Sequence, residues 1–172
     1  VDPTTQSFVK NLGSTSMMYG IGEYLIAAQN KYGSNALSIF SAAARESGYG
    51  RSVIAYYKNN LFGMGAVDGN AFNAAYSYDS VNDSIIDYSK KISVSSYSNI
   101  NDYRYNGTHL GNKLSGSQVQ YASDPYSGES STGSAYSLDL SNGQLDNYSN
   151  TLGIKNNNQL VNVYSEPSKT SR

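Results

Sequence analysis

AQNKYGSNALSIFSAAARESGYGRSVIAYYKNNLFGMG, residues 28 to 65, changes character twice. Gly33 interrupts it first, and Ser34 or Asn35 is placed to cap the helix that follows. Residues 36 to 46, ALSIFSAAARE, are apolar on more faces than a surface helix tolerates, so they are expected to form a central buried helix. Small residues then take over at Ser47, Gly48 and Gly50. A shorter helical piece is predicted from Ser52 to Tyr57, and Asn59 and Asn60 open a stretch of frequent turns. Glu46 places its carboxyl group where the apolar helix stops and the small-residue turn begins. Partial burial disfavours the anion and the negative end of the helix dipole disfavours it further, so the group can hold a proton near neutral pH and donate it. The same spacing also fits a solvated C-terminal residue paired with Arg45 or Arg51.

Working outward, residues 1 to 14 are polar with an early proline. Ser14 or Ser16 then caps a predicted helix over residues 16 to 31, with Met17, Met18, Ile21, Leu25 and Ile26 near helical spacing. On the other side, Leu61 to Tyr78 mixes Gly, Asn and Asp with Phe72, Tyr76 and Tyr78, which suits short strands and tight turns, a small β lobe. Asp79 or Ser80 starts a helix over residues 80 to 93, with an apolar stripe of Val81, Ile85, Tyr88 and Ile92. Residues 103 to 128 read as loop and short helix. A further helix is predicted over residues 130 to 140, weakened by Gly133 and its serines. The closing LVNVYSEPSKTSR reads as one strand and a Pro and Ser turn, so residues 156 to 172 are expected to be a linker and the opening of a following module of a longer protein. The fold class is α+β, mostly helical.

Composition narrows the function. The 172 residues suit one domain with trailing segments, and 17 Tyr with 4 Phe offset a modest hydrophobic fraction of 38%. Twelve Lys and Arg nearly cancel 13 Asp and Glu, giving a net charge of -1, which points to no nucleic acid and no anionic membrane as a partner. Without cysteine there is no disulfide scaffold and no thiolate metal site. His109 is the single histidine, so a His-based triad or multi-His zinc site is not expected, and it reads as a turn residue. No apolar run reaches the roughly 18 residues of a membrane span, and any signal peptide is expected outside this sequence. A monomer with no cofactor and no metal is expected.

Two signatures in the opening stretch coincide: Glu-Ser-Gly-aromatic-Gly at residues 46 to 50 and Asn-Asn-Leu-Phe-Gly at residues 59 to 63. A third follows in HLGNKLSGSQVQYASDPYSG, residues 109 to 128, with its Leu-Gly-Asn-Lys and Tyr-Ala-Ser-Asp-Pro-Tyr elements. Together, over roughly residues 20 to 155, they resemble the glucosaminidase domains of glycoside hydrolase family 73, found in Gram-positive autolysins. VNVYSEPSKTS is similar to the first strand of an SH3-type wall-binding repeat. The resemblance implies a division into a 1–15 extension, a 16–155 catalytic domain and a 156–172 linker with the start of that repeat. Two departures stand out: the family usually has Trp where Tyr49 stands and often where Ser127 stands, and this chain has no Trp. Ser127 is expected to remove an aromatic wall.

The resemblance implies a lysozyme-like fold, a helical body with a small β lobe across a substrate groove. It implies a secreted, wall-associated endo-β-N-acetylglucosaminidase acting on peptidoglycan glycan strands. Glu46 becomes the general acid and Tyr121 the residue that touches or orients the sugar acetamido group. Asn59, Asn60 and Phe62 brace the groove floor, and Tyr49, Tyr78 and Tyr126 are candidates for sugar stacking. Asp68 and Asp79 are the candidates for a second catalytic group, Asp79 serving equally as a helix N-cap. A wide carboxylate gap implies inversion through a held water; alternatively the substrate N-acetyl group acts as nucleophile. A lysozyme-like muramidase, a lytic transglycosylase and a non-catalytic peptidoglycan-binding module are the rival readings.

Overall fold

The computed structural model describes residues 16–107 and 109–143. Seven α-helices lie within them: α1 (Gly22–Tyr32), α2 (Ala36–Ser47), α3 (Val53–Lys58), α4 (Ala71–Ala74), α5 (Val81–Ser93), α6 (Gln118–Tyr121) and α7 (Ser127–Ser141). Helix α2 sits at the centre, between α1 on one side and α7 on the other, and α5 packs on α1.

Small residues let α2 occupy that place. Ala42, Ala43, Ala44 and Ser41 are all buried, and Ile39 fills the remaining gap beside Leu25, Ala28, Leu61 and Ile85. At its start the Asn35 side chain accepts from the Ser38 N–H at 2.8 Å, a cap of about 1 kcal/mol. At its end Gly48 takes the left-handed conformation.

Several expectations need correction. The first helix begins at Gly22, because Gly20 has φ 74° and halts any helix before it. Ser16 instead closes a turn, accepting from Met18 N–H at 3.1 Å. Among the described residues there is no strand, and residues 61–79 form turns and the single turn of α4 rather than a β lobe. The cause is Asn60, 1% exposed, whose amide donates to the carbonyls of Met64 and Tyr76 at 3.0 and 2.9 Å while its oxygen accepts from the Phe62 and Met64 N–H groups. One buried side chain thus supplies the cross-links that a strand ladder would provide. Ser80, not Asp79, caps α5, accepting from the Asp83 N–H at 3.2 Å.

Helix α7 is longer than predicted and runs through Gly133, around which there is open space. The expectations for residues 1–15 and for the strand and linker at 156–172 lie outside the described residues. No helix among the described residues is long and apolar enough to cross a membrane.

Candidate active site

Glu46 is the penultimate residue of α2, and the turn after it is held from several sides. The Ser47 hydroxyl accepts from the Gly50 N–H at 2.7 Å. Tyr49 and Gly50 both have positive φ. The Ser16 hydroxyl donates to the Tyr49 carbonyl at 2.6 Å, and the Met17 N–H donates to the Gly50 carbonyl at 3.1 Å. A Cβ on Gly50 would stand 2.7 Å from the Met18 nitrogen and 2.8 Å from that of Met17, so only glycine fits. The Glu-Ser-Gly-aromatic-Gly run is therefore a mounting: it fixes the direction in which the helix end presents its acid.

The Glu46 side chain is 27% exposed, sheltered yet reachable. Burial lifts its carboxyl above the ordinary value of 4.5; the Arg45 guanidinium, 3.3 Å away, pulls it back in part, and the charge of Asp124 pushes it up again. The net direction is upward. Arg45 is itself engaged by the Asp124 carboxylate and by the Ser127 hydroxyl, which accepts at 3.0 Å. Asp124 thus draws the neighbouring cation toward itself, so Arg45 cannot act as a full counter-ion to Glu46.

Behind the acid stands an aromatic chain. Phe62 stacks on Tyr88 with centroids 4.0 Å apart and planes 5° from parallel. Tyr88 meets Tyr121 edge-on at 5.7 Å, and Tyr97 meets Tyr121 edge-on at 5.8 Å. Burial raises the Tyr88 and Tyr121 hydroxyls above their usual range, and the charge of Glu46 adds to both. Tyr121 ends α6, whose last carbonyls receive the ammonium of Lys113: it donates to Gln118 O at 3.2 Å, to Val119 O at 3.1 Å and to Ala122 O. The Leu-Gly-Asn-Lys element thereby holds Tyr121 in place.

The expected site residues separate into two groups. Glu46, Tyr121 and Phe62 come together through the aromatic chain. Asn60 and Phe62, 1% and 2% exposed, lie behind the surface and offer support, not contact with a ligand. The Tyr78 hydroxyl is spent on Asp87, to which it donates at 2.6 Å. Tyr49 and Tyr126 are open, 61% and 69% exposed. Asp68 and Asp79 are exposed on the 61–79 turns. The Asp79 carbonyl accepts from the Asn59 amide at 3.2 Å.

Ser127 does not leave a gap in a cleft wall. It is 1% exposed and faces Arg45. Sequence reasoning missed Asp124, Tyr88 and Tyr97. Asp124 stood inside the Tyr-Ala-Ser-Asp-Pro-Tyr element, three residues beyond Tyr121, and was the legible hint.

A central helix ending on one sheltered acid, backed by stacked aromatics, defines a helical domain organised around that carboxyl. A family profile described as "Glucosaminidase: Mannosyl-glycoprotein endo-beta-N-acetylglucosaminidase" matches residues 22–142. The chain belongs to this glucosaminidase family. It is 39% identical over 117 residues to proteins of two Streptococcus pneumoniae strains, serotype 4 and R6, each named "Putative endo-beta-N-acetylglucosaminidase"; the match takes in 67% of this chain. The chain spans about a sixth of the length of those curated relatives, 17% and 16%.

Among solved structures it is similar to S. aureus Autolysin E. One structure, in complex with a muropeptide, has TM-score 0.58 at 24% identity, covering 81% of this chain and 68% of that one. Another, a catalytic mutant with the disaccharide NAG-NAM, has TM-score 0.58 at 23% identity, covering 81% and 68%. These two likenesses speak to the fold.

Proposed function

We propose that this chain is a peptidoglycan hydrolase that cleaves the β-1,4 bond between N-acetylglucosamine and N-acetylmuramic acid, with Glu46 as general acid. The observation that carries the reading is the sheltered Glu46 carboxyl, raised by burial at the end of α2. A carboxyl that keeps its proton can pass it to the glycosidic oxygen as the bond breaks and the sugar gains oxocarbenium character. Tyr121, in edge-on contact with Tyr88 and Tyr97, orients the acetamido group. Tyr49 and Tyr126 offer open ring faces for sugar stacking.

For the second step the substrate's own N-acetyl group is the better-supported partner. The carboxylate whose charge reaches Glu46 is Asp124, and Arg45 holds it. Asp68 and Asp79 stand exposed on the turns of residues 61–79. If Asp68→Asn abolishes turnover as fully as Glu46→Gln, the inverting route through a held water replaces this one.

The domain division is 16–155 for catalysis, with 156–172 opening a wall-binding repeat. The enzyme acts as a secreted monomer on the cell wall, without cofactor, membrane or nucleic-acid partner. Mass spectrometry of the muropeptides it releases tests the reading. N-acetylglucosamine at the new reducing end is the expected product. Muramic or anhydromuramic ends identify a muramidase or a lytic transglycosylase instead, and binding without release of reducing ends identifies a binding module.

A further inference from the structure

A crevice of about 740 Å³ lies between α2 and α7. That size is ordinary for a ligand site. Phe40, Ser41 and Ala44 form the α2 side, Ser130, Ser134 and Ser137 line the α7 side, and Tyr49 closes one end. Ser130 to Ser141 is a run of twelve residues, about 16 Å along the helix.

Three features give the crevice a chemistry. None of its lining residues is charged, so it suits a neutral ligand. The Ser134 and Ser137 hydroxyls donate to the carbonyls of Ser130 and Gly133, both at 2.9 Å, which leaves their lone pairs free to accept. Ser41 supplies the independent observation. It is 2% exposed, and its Oγ has no hydrogen-bond partner, although a mid-helix serine can bond the carbonyl four residues back. An unmet buried hydroxyl is unfavourable until something meets it, and Ser41 is one of the residues that line the crevice. Phe40 and the 61%-exposed Tyr49 add ring surface. Apolar faces with neutral donors and acceptors are what a sugar chain presents; a stem peptide would bring carboxylates into a site that has no cation for them.

We propose that this crevice is a second glycan-binding site, holding a neutral, N-acetylated stretch of strand beyond the part engaged at Glu46, with Tyr49 as the joint between the two. This rests on the glycan-cleaving reading above. The test uses the full chain carrying Glu46→Gln, which binds without turnover, and measures calorimetrically its affinity for N-acetylglucosamine hexamer and trimer. Ser41→Ala and Gly133→Phe alter the crevice, the latter filling it from a position with open space; Thr132→Phe, on an exposed position outside the lining, is the control.

Each crevice variant is expected to weaken hexamer binding about tenfold while leaving the trimer and the melting temperature unchanged or, for Ser41→Ala, the melting temperature raised. In the active chain the same changes raise KM for long glycan strands rather than lower kcat. Hexamer affinity equal to the parent, or an equal loss in Thr132→Phe, overturns the proposal. Release of reducing ends by the wild type reports separately on the glycan-cleaving reading, so the two failures are distinguishable.

Discussion

The turn that carries Glu46 and the turn that carries Asp68 are both rich in glycine, yet they are built differently. Around Glu46 Gly48 is open, but the rest of the turn is tied to neighbours: Ser47 to the Gly50 N–H, Gly50 to the backbone of Met17 and Met18, Tyr49 to Ser16. Around Asp68, Gly69 has open space beside it and the carboxylate is exposed. Anchorage by long-range partners is what separates a preorganised acid from a carboxyl on a surface turn, and preorganisation is where catalytic electrostatics gains its strength.

The largest expected effect falls on the acid itself. Glu46→Gln keeps the shape and removes the proton, and is expected to lower turnover of peptidoglycan by about 10²–10⁴-fold with folding intact, read as reducing ends released. Next comes the wall behind it. Phe62→Ala removes the ring stacked on Tyr88 and is expected to cost about 3–5 kcal/mol in denaturant unfolding, since the side chain is buried.

Gly50→Ala forces a Cβ into positive φ and against two backbone nitrogens. A loss of about 1–3 kcal/mol is expected, with kcat falling as the Glu46 mounting shifts. The smallest effect falls on the other turn. Asp68→Asn is expected to change stability by less than about 0.5 kcal/mol and to spare most of the turnover; a loss matching that of Glu46→Gln would make the two turns equal partners.

Local cues were enough for the helices around the acid. Asn35 and Gly48 bracket α2 by ordinary capping chemistry, and the alanine run announced a buried helix. Side chains acting at a distance were not legible. Turn-forming residues alternating with aromatics at 61–78 look like strands until Asn60 is seen taking over the cross-linking. Arg45 and Asp124 lie 79 residues apart, so nothing local announces that pair. Helix α7 begins earlier than its serines suggest because Gly128 fits directly against the Gly111 carbonyl, a contact any Cβ would prevent. Ser127, read as a missing wall, turned out to be a partner for Arg45 because that same packing draws the start of α7 inward.

The raised Glu46 carboxyl also carries a sign. The folded chain holds this proton more tightly than the unfolded chain, so its contribution to stability is complete below the ordinary value of 4.5 and is lost as pH rises through the higher folded value. Glu46→Gln cannot ionise and is expected to gain in melting temperature relative to wild type as pH climbs from about 4 to about 8.

The most direct measurement is a carbon-13 titration of the Glu46 side-chain carboxyl in the folded chain, assigned by its absence in Glu46→Gln. The midpoint is expected above 4.5, in step with the high-pH fall in activity. A midpoint at or below that value, with activity persisting well above it, would contradict the assignment of Glu46 as the proton donor.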